Sequence, residues 1–203
     1  MHPKAIDRFF RTLARAFPEP VTVILTGAAA GSLFGHIRPS QDIDCGVRFT
    51  RSTPERWLRF KEAVDHTTVK TGIQVNYAPD IDRWSAITLL DYQRHTIPYR
   101  RFGTLQVRLL DPVYWSIGKM GRYFDLDVQD LVAVLKRRKT PLRALVRVWA
   151  RALKASPASP ALFQFRTQVE HFLRTYGRTI WGKTFSAEQA IQAFERHLKT
   201  RRT

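Results

Sequence analysis

Apolar side chains recur along this chain with two different periods, and the change from one to the other divides it. In residues 3–17, Ile6, Phe9, Phe10, Leu13 and Phe17 fall at helical spacing. Pro3 suits the first turn of that helix, and Pro18 and Pro20 end it. Val21 to Thr26 is a short, β-branched and nearly all apolar run, the pattern of a buried strand. Gly27 breaks it; Ala28 to Phe34 predicts a short helix closed by Gly35, and Asp42 to Val47 returns as a strand. Pro54 opens a helix carrying Trp57, Phe60 and Val64. Thr71 to Tyr77 and Gly103 to Leu110 read as further strands, with a short extended stretch from Ile97 to Tyr99. From Pro112 onward the period is helical only, over 112–122, 127–138, 141–155, 160–176 and 184–200, with a Ser/Pro linker at Ser156 to Pro160. The expected fold is α+β. A small mixed sheet flanked by helices occupies residues 1–111, and a basic helical bundle occupies 112–203.

Charge sharpens this division. The chain carries 34 Lys and Arg against 17 Asp and Glu. Residues 133–203 contribute 16 of the cations and only 3 of the acids. A basic surface of that size attracts phosphate backbones through counterion release. A solvated basic face, an anionic membrane surface or an acidic protein would satisfy the same electrostatics. Lys136, Arg137, Arg138 and Lys139 form one cluster, and Arg143, Arg147, Arg151 and Lys154 follow as a stripe along the next helix, opposite Leu142, Leu145, Val146, Trp149 and Leu153. Four cations in a row repel one another without a counter-anion. The stripe therefore reads as a contact for an RNA or DNA backbone, with a membrane-facing amphipathic helix as the lesser option. No apolar run is long enough to span a bilayer, and the N-terminus lacks a signal-like stretch. Cys45 is the only cysteine, which precludes an intrachain disulfide and makes the cytoplasm the expected compartment.

The chemistry concentrates between Leu25 and Asp44. Asp42 and Asp44 stand two apart on an expected strand, so both carboxylates point to one face. Two like charges side by side are costly unless a cation lies between them, and Mg2+ takes oxygen ligands of this kind together with substrate phosphate. Gly27 permits a sharp turn from strand into helix, and the start of that helix, at Gly27 and Ala28, offers N–H groups to a phosphate. Ser32 lies one turn later and is either a further hydroxyl for the phosphate or a helix-surface residue.

Buried strand, glycine, short helix, Gly35, Arg38, Ser40 and then Asp42-Ile43-Asp44 together resemble the nucleotidyltransferase superfamily. The nearest resemblance is to its bacterial branch containing the abortive-infection AbiE-type toxins. Ala28 departs from the pattern, which usually has a second Gly or a Ser there. The resemblance spans residues 21–135 and implies a nucleotidyltransferase-type sheet, Mg2+ and a nucleoside triphosphate as cofactors, and Asp42 and Asp44 as catalytic metal ligands. It implies nucleotide-binding roles for Gly27, Ala28, Ser32, Arg38 and Lys119. In the segment 111–131, Lys119 and Arg122 precede Asp127 and Asp130, and the resemblance makes Lys119 a phosphate contact while the two acids orient its helix. The expected activity is transfer of a nucleoside monophosphate to an acceptor, an RNA end such as tRNA, in a toxin–antitoxin or defence setting with an antitoxin or other protein partner.

Active members of that superfamily bring a third carboxylate from a neighbouring strand. Here that strand offers Gln74 and Asn76, whose amide oxygens ligate a cation but take no proton at neutral pH. Asp80 and Asp82 follow and are the candidates to fold back. The rival reading is a catalytically silent nucleotidyltransferase fold that binds nucleic acid or serves in assembly. A small-molecule transferase of the aminoglycoside type is a second rival. The histidines lack metal-ligand spacing, Cys45 reads as core, and the five tryptophans read as core aromatics of which one or two could stack on a base.

Overall fold

The computed structural model describes residues 1–35 and 40–199. Among these residues the chain forms eight α-helices and one five-stranded mixed sheet, an α+β arrangement with a helical C-terminal region. It divides into two compact units. The first comprises residues 1–81 and 93–110; the second comprises 82–92 and 111 onward. Residues 82–92 thus belong with the helical unit although they lie inside the first 111 residues in sequence.

In the first unit, helix α1 (Pro3–Ala16) starts where His2 Nδ1 accepts the Lys4 N–H. It buries Ile6, Phe9, Phe10 and Leu13, the helical stripe read from the sequence. Strand β1 (Val21–Thr26) is followed directly by the short helix α2 (Gly27–Leu33), then by β2 (Asp42–Arg48). Helix α3 (Pro54–Thr71) begins with the Thr53 hydroxyl accepting the Arg56 N–H and Pro54 in the first turn. Strands β3 (Gln74–Ala78), β4 (Thr96–Phe102) and β5 (Leu105–Leu110) complete the sheet, in the order β3-β2-β1-β5-β4. β1 pairs antiparallel with β2 and parallel with β5, β2 pairs parallel with β3, and β4 antiparallel with β5. In central β1, the consecutive residues Val23, Ile24 and Leu25 are all but inaccessible, so both faces of the strand are covered, which is why it is nearly all apolar. Helices α1 and α3 pack together through Phe17 and Phe60, whose rings meet edge-on at 5.3 Å, and through the Arg8 guanidinium on the Thr71 carbonyl at 2.9 Å.

Two stretches of this unit differ from the periodic reading, each for a local reason. Thr71 belongs to α3, because Gly72 adopts a left-handed conformation and closes the helix on the Thr68 carbonyl. The stretch near Ile97 grows into the whole of β4, because Gly103 at φ 58° turns the chain back into β5. Pro98, which can donate nothing to a ladder, sits on this edge strand beside an irregularity in register.

The second unit holds α4 (Pro112–Arg122), α5 (Asp125–Arg137), α6 (Leu142–Ala155), α7 (Pro160–Trp181) and α8 (Ala187–Lys199). Asp111 caps α4 by accepting the N–H groups of Val113 and Tyr114. Trp149 on α6 is fully buried, donates its indole N–H to the Ser116 hydroxyl at 2.8 Å, and meets Phe172 of α7 edge-on. Helix α7 runs through Gly177 to Trp181, beyond the end at 176 that its pattern predicts. Gly177 is there for contact and not as a stop. A Cβ at that position would lie 2.0 Å from the Phe185 ring, so the ring closes directly on the helix backbone. Gly177→Ala should therefore destabilise the protein by about 1–3 kcal/mol through overpacking, against a small gain at an open helix position. Urea unfolding of the two proteins checks this, and an unchanged midpoint would refute the packing role.

Candidate cation and phosphate site

Asp42, Asp44 and Asn76 come together because β2 and β3 are parallel and in a fixed register. Asp42 pairs with Gln74, and Asp44 with Asn76. Register partners share a face, so Asp42, Asp44 and Asn76 project to the same side while Ile43 and Cys45 turn into the core. The Asn76 amide nitrogen donates to Asp42 Oδ2 and to Asp44 Oδ1, both at 3.0 Å. One amide thus bridges the two carboxylates. The amide fills the place beside Asp44 where the superfamily resemblance leads one to expect a third acid.

On the other side β1 holds Asp44 against Thr26, and the chain turns into α2 at Gly27. Gly27 has φ 62°, and a Cβ there would stand 2.2 Å from Asp44 Oδ2. Both the backbone conformation and the close approach require glycine. Ala28, next along, is partly exposed at the start of α2. Ser40 steadies the entry to β2, its hydroxyl donating to the Asp42 carbonyl at 2.6 Å.

Other residues singled out by sequence stand elsewhere. Ser32 is buried and its hydroxyl donates to the Ala29 carbonyl at 2.8 Å, so it serves its own helix and faces no open site. Arg38 lies outside the described residues. Asp82 accepts the Leu89 N–H and belongs to the helical unit, where it shapes the 82–92 loop. Among the described residues, no group of three or more His, Cys, Asp or Glu side chains stands at metal-ligand spacing. The donor set at this site is therefore two carboxylates and an amide. Such a set suits a hard cation: Mg2+ is held through one or two carboxylates, with amide oxygen, water and phosphate completing the shell. Rotation of the Asn76 amide by half a turn exchanges its nitrogen for its oxygen and presents an acceptor in place of a donor. Cys45 is no nucleophile, since burial pushes its thiol far up and the Asp44 charge raises it further.

Lys119 is only 2% exposed. Its ammonium reaches Asp127 Oδ1 at 2.8 Å and Asp130 Oδ2 at 2.6 Å, with the Trp115 ring 5.7 Å away. Arg122 adds a second cation to Asp127. The group is a buried lock between α4 and α5. With both carboxylates inaccessible, the lysine ammonium is committed to them, which leaves it no face for a nucleotide phosphate.

The basic residues of the helical unit form a surface. Lys136, Arg137, Arg138 and Lys139 are exposed at the end of α5, and Arg143, Arg147, Arg151 and Lys154 are exposed along α6. Burial is the first cause that holds His197 of α8 below its usual pKa, followed by the nearby charges of Arg147, Arg143, Arg196 and Lys154. Five cationic or titratable groups from two helices thus converge on one face. The sequence reading missed the part of α8, because Arg196 and His197 look like ordinary last-turn residues.

Compared with family models, with curated proteins and with solved structures, the chain finds no match.

The buried lock yields a clear outcome. Lys119→Met should cost about 3–5 kcal/mol, because it takes the ammonium from two inaccessible carboxylates and leaves Asp127 to Arg122. Denaturant unfolding at neutral pH measures it. Unchanged stability with impaired nucleotide binding would instead return Lys119 to the phosphate role.

Proposed function

We propose that the first unit binds a divalent cation with a nucleoside triphosphate at Asp42 and Asp44, and transfers the nucleoside monophosphate to an acceptor hydroxyl on RNA. The single observation that carries this reading is the face shared by Asp42, Asp44 and Asn76 beside the tight Gly27 turn. A carboxylate pair bridged by an amide is a prepared oxygen-donor set, and the sequence pattern around it resembles that of nucleotidyltransferases. The cation, when bound, neutralises charge on the phosphate oxygens. Asp42 and Asp44 hold and orient that assembly, Asn76 turns its oxygen toward it, and Gly27 lets the backbone come close. In the transfer the acceptor oxygen forms a bond to the α-phosphorus, the bond from that phosphorus to the bridging oxygen breaks, and pyrophosphate leaves. The hydroxyl proton passes to solvent, since the Asn76 amide cannot accept it. RNA is favoured as acceptor by the exposed cations of α5 and α6, which outnumber the acids of their region. A toxin–antitoxin or defence setting, with a protein antitoxin, follows from the resemblance alone.

Asn76 also favours a second reading, in which the fold binds nucleotide and nucleic acid without transferring anything. Two experiments separate the readings. Incubation with Mg2+, each α-labelled nucleoside triphosphate and total RNA should label RNA, and an Asp42→Ala/Asp44→Ala variant should lose at least a hundredfold of that label. Absence of label from RNA, protein and the chain itself would sink the transferase reading. Asn76→Asp supplies the missing carboxylate; it should raise transfer about 10²-fold or more, the size of a general-base contribution. It should also flatten the rise of rate with pH that transfer to solvent imposes. An inert Asn76→Asp protein that still binds the triphosphate would favour the silent module.

A further inference from the structure

The helical unit contains a cleft of about 570 Å³ between α6, α8 and the turn that joins α7 to α8. Its size falls within the roughly 300–1,000 Å³ of small-ligand sites. Leu142 and Val146 of α6 give it an apolar floor, and Trp181 and Phe185 one wall. That wall is rigid. The two rings stack at 5.2 Å with 24° between their planes, the Trp181 indole N–H is tied to the Thr140 carbonyl at 3.0 Å, and Phe185 is pressed onto Gly177. Arg143 and Arg196 line the cleft from opposite helices, and Ser186 and Gln189 add polar groups. Arg147, Arg151 and Lys154 continue the charge along α6.

What fits this surface follows from where the acids have gone. Residues 133–203 hold three acids, Glu170, Glu188 and Glu195. All three pair with α7: Glu170 and Glu195 with Arg166, and Glu188 with Arg174. The acids of α8 therefore neutralise α7, and among the described residues Arg143, Arg147 and Arg151 enter no ion pair. The α6 side is left as a cationic track beside an aromatic-walled pocket. That pairing of features takes a ligand with regularly spaced negative charge and a flat ring that leaves the charged line to enter the cleft. A duplex cannot supply the ring, because its bases are stacked and paired.

We propose that this cleft receives one unpaired base of a single-stranded RNA, with the flanking phosphates on Arg143 and Arg196 and the strand running along Arg147 and Arg151. The inference rests on the RNA reading above for the nature of its ligand, and it is independent of the transfer chemistry. Base–aromatic contact gives affinity without strong sequence preference, the cations give salt dependence, and Ser186 and Gln189 face the sugar and base edges.

The test is fluorescence anisotropy with a labelled 12-nucleotide RNA, its duplex, and single-stranded DNA of the same sequence, all in EDTA so that the carboxylate site of the first unit takes no part. Single-stranded RNA should bind at least tenfold tighter than the duplex and several-fold tighter than the DNA. Ala193→Phe, which fills the cleft without changing charge, should weaken RNA binding about tenfold, the loss of one stacked base. Its far-ultraviolet spectrum and melting temperature verify that it is folded, and Gln189→Trp fills the same cleft from an exposed position should the first variant fail to fold. Arg143→Ala should weaken binding and lower the salt slope by about one. RNA carrying 4-thiouridine should cross-link to the peptide containing Trp181 and Phe185. Equal affinity for duplex and single strand, or full affinity in both cleft-filling variants, would overturn the proposal. Because no triphosphate or divalent cation is present, a failure here leaves the transferase reading standing, and a failed transfer assay leaves this one standing.

Discussion

Two carboxylates on one side of one strand are the constraint around which the first unit is arranged. Asp42 and Asp44 repel each other, and the fold answers with a single neutral amide whose two N–H bonds are shared between them. That bridge requires β3 to lie parallel to β2 in one register, and a slip of one residue would turn Asn76 to the opposite face. It also requires β1 to bring the chain into α2 at a point where the backbone touches the Asp44 carboxylate, which only glycine permits at Gly27. The sheet order, the glycine and the amide are consequences of one electrostatic problem. The same arrangement, with the amide turned over, becomes a set of oxygen donors.

The helical unit solves a different charge problem by segregation. Its buried lock places Lys119 between Asp127 and Asp130, where the lysine and both acids are almost fully hidden. Such a group adds little net stability over an apolar replacement of all its members, but loss of any one member is severe. The acids of α7 and α8 are drawn to the arginines of α7, so Arg143, Arg147 and Arg151 of α6 are left to the solvent. The helix that is most basic on one side is also the most deeply packed on the other, through Leu145, Trp149 and Leu153. Rigid presentation of charge is the physical result.

Much of this was legible in the amino-acid order. The α1 stripe, the apolar β1 run and the Asp42-Ile43-Asp44 alternation fix their elements locally, since each obeys one period over several residues. The extension of α7 past residue 176 was not legible, because the Phe185 ring that covers Gly177 is brought there only by the fold. Ser32 and Lys119 misled for a related reason: spacing reports which face a residue occupies and says nothing of what covers that face. The bridge from Asn76 was half visible, in that Gln74 and Asn76 were the polar alternates of their strand, but the register that joins them to the acids is a long-range property. The cleft beside Trp181 was not legible at all, because it is made by α6, α8 and a turn that meet only in space.

We propose that Asp42, Asp44 and Asn76 are ligands of one divalent cation. Paramagnetic relaxation by Mn2+ tests it most directly, observed at the Asn76 side-chain amide in the full chain with a nucleoside triphosphate present. Substoichiometric Mn2+ should broaden the Asn76 amide resonances before those of other side-chain amides, and Asp44→Asn should abolish the selectivity. Uniform broadening, or selective broadening that survives Asp44→Asn, would contradict it.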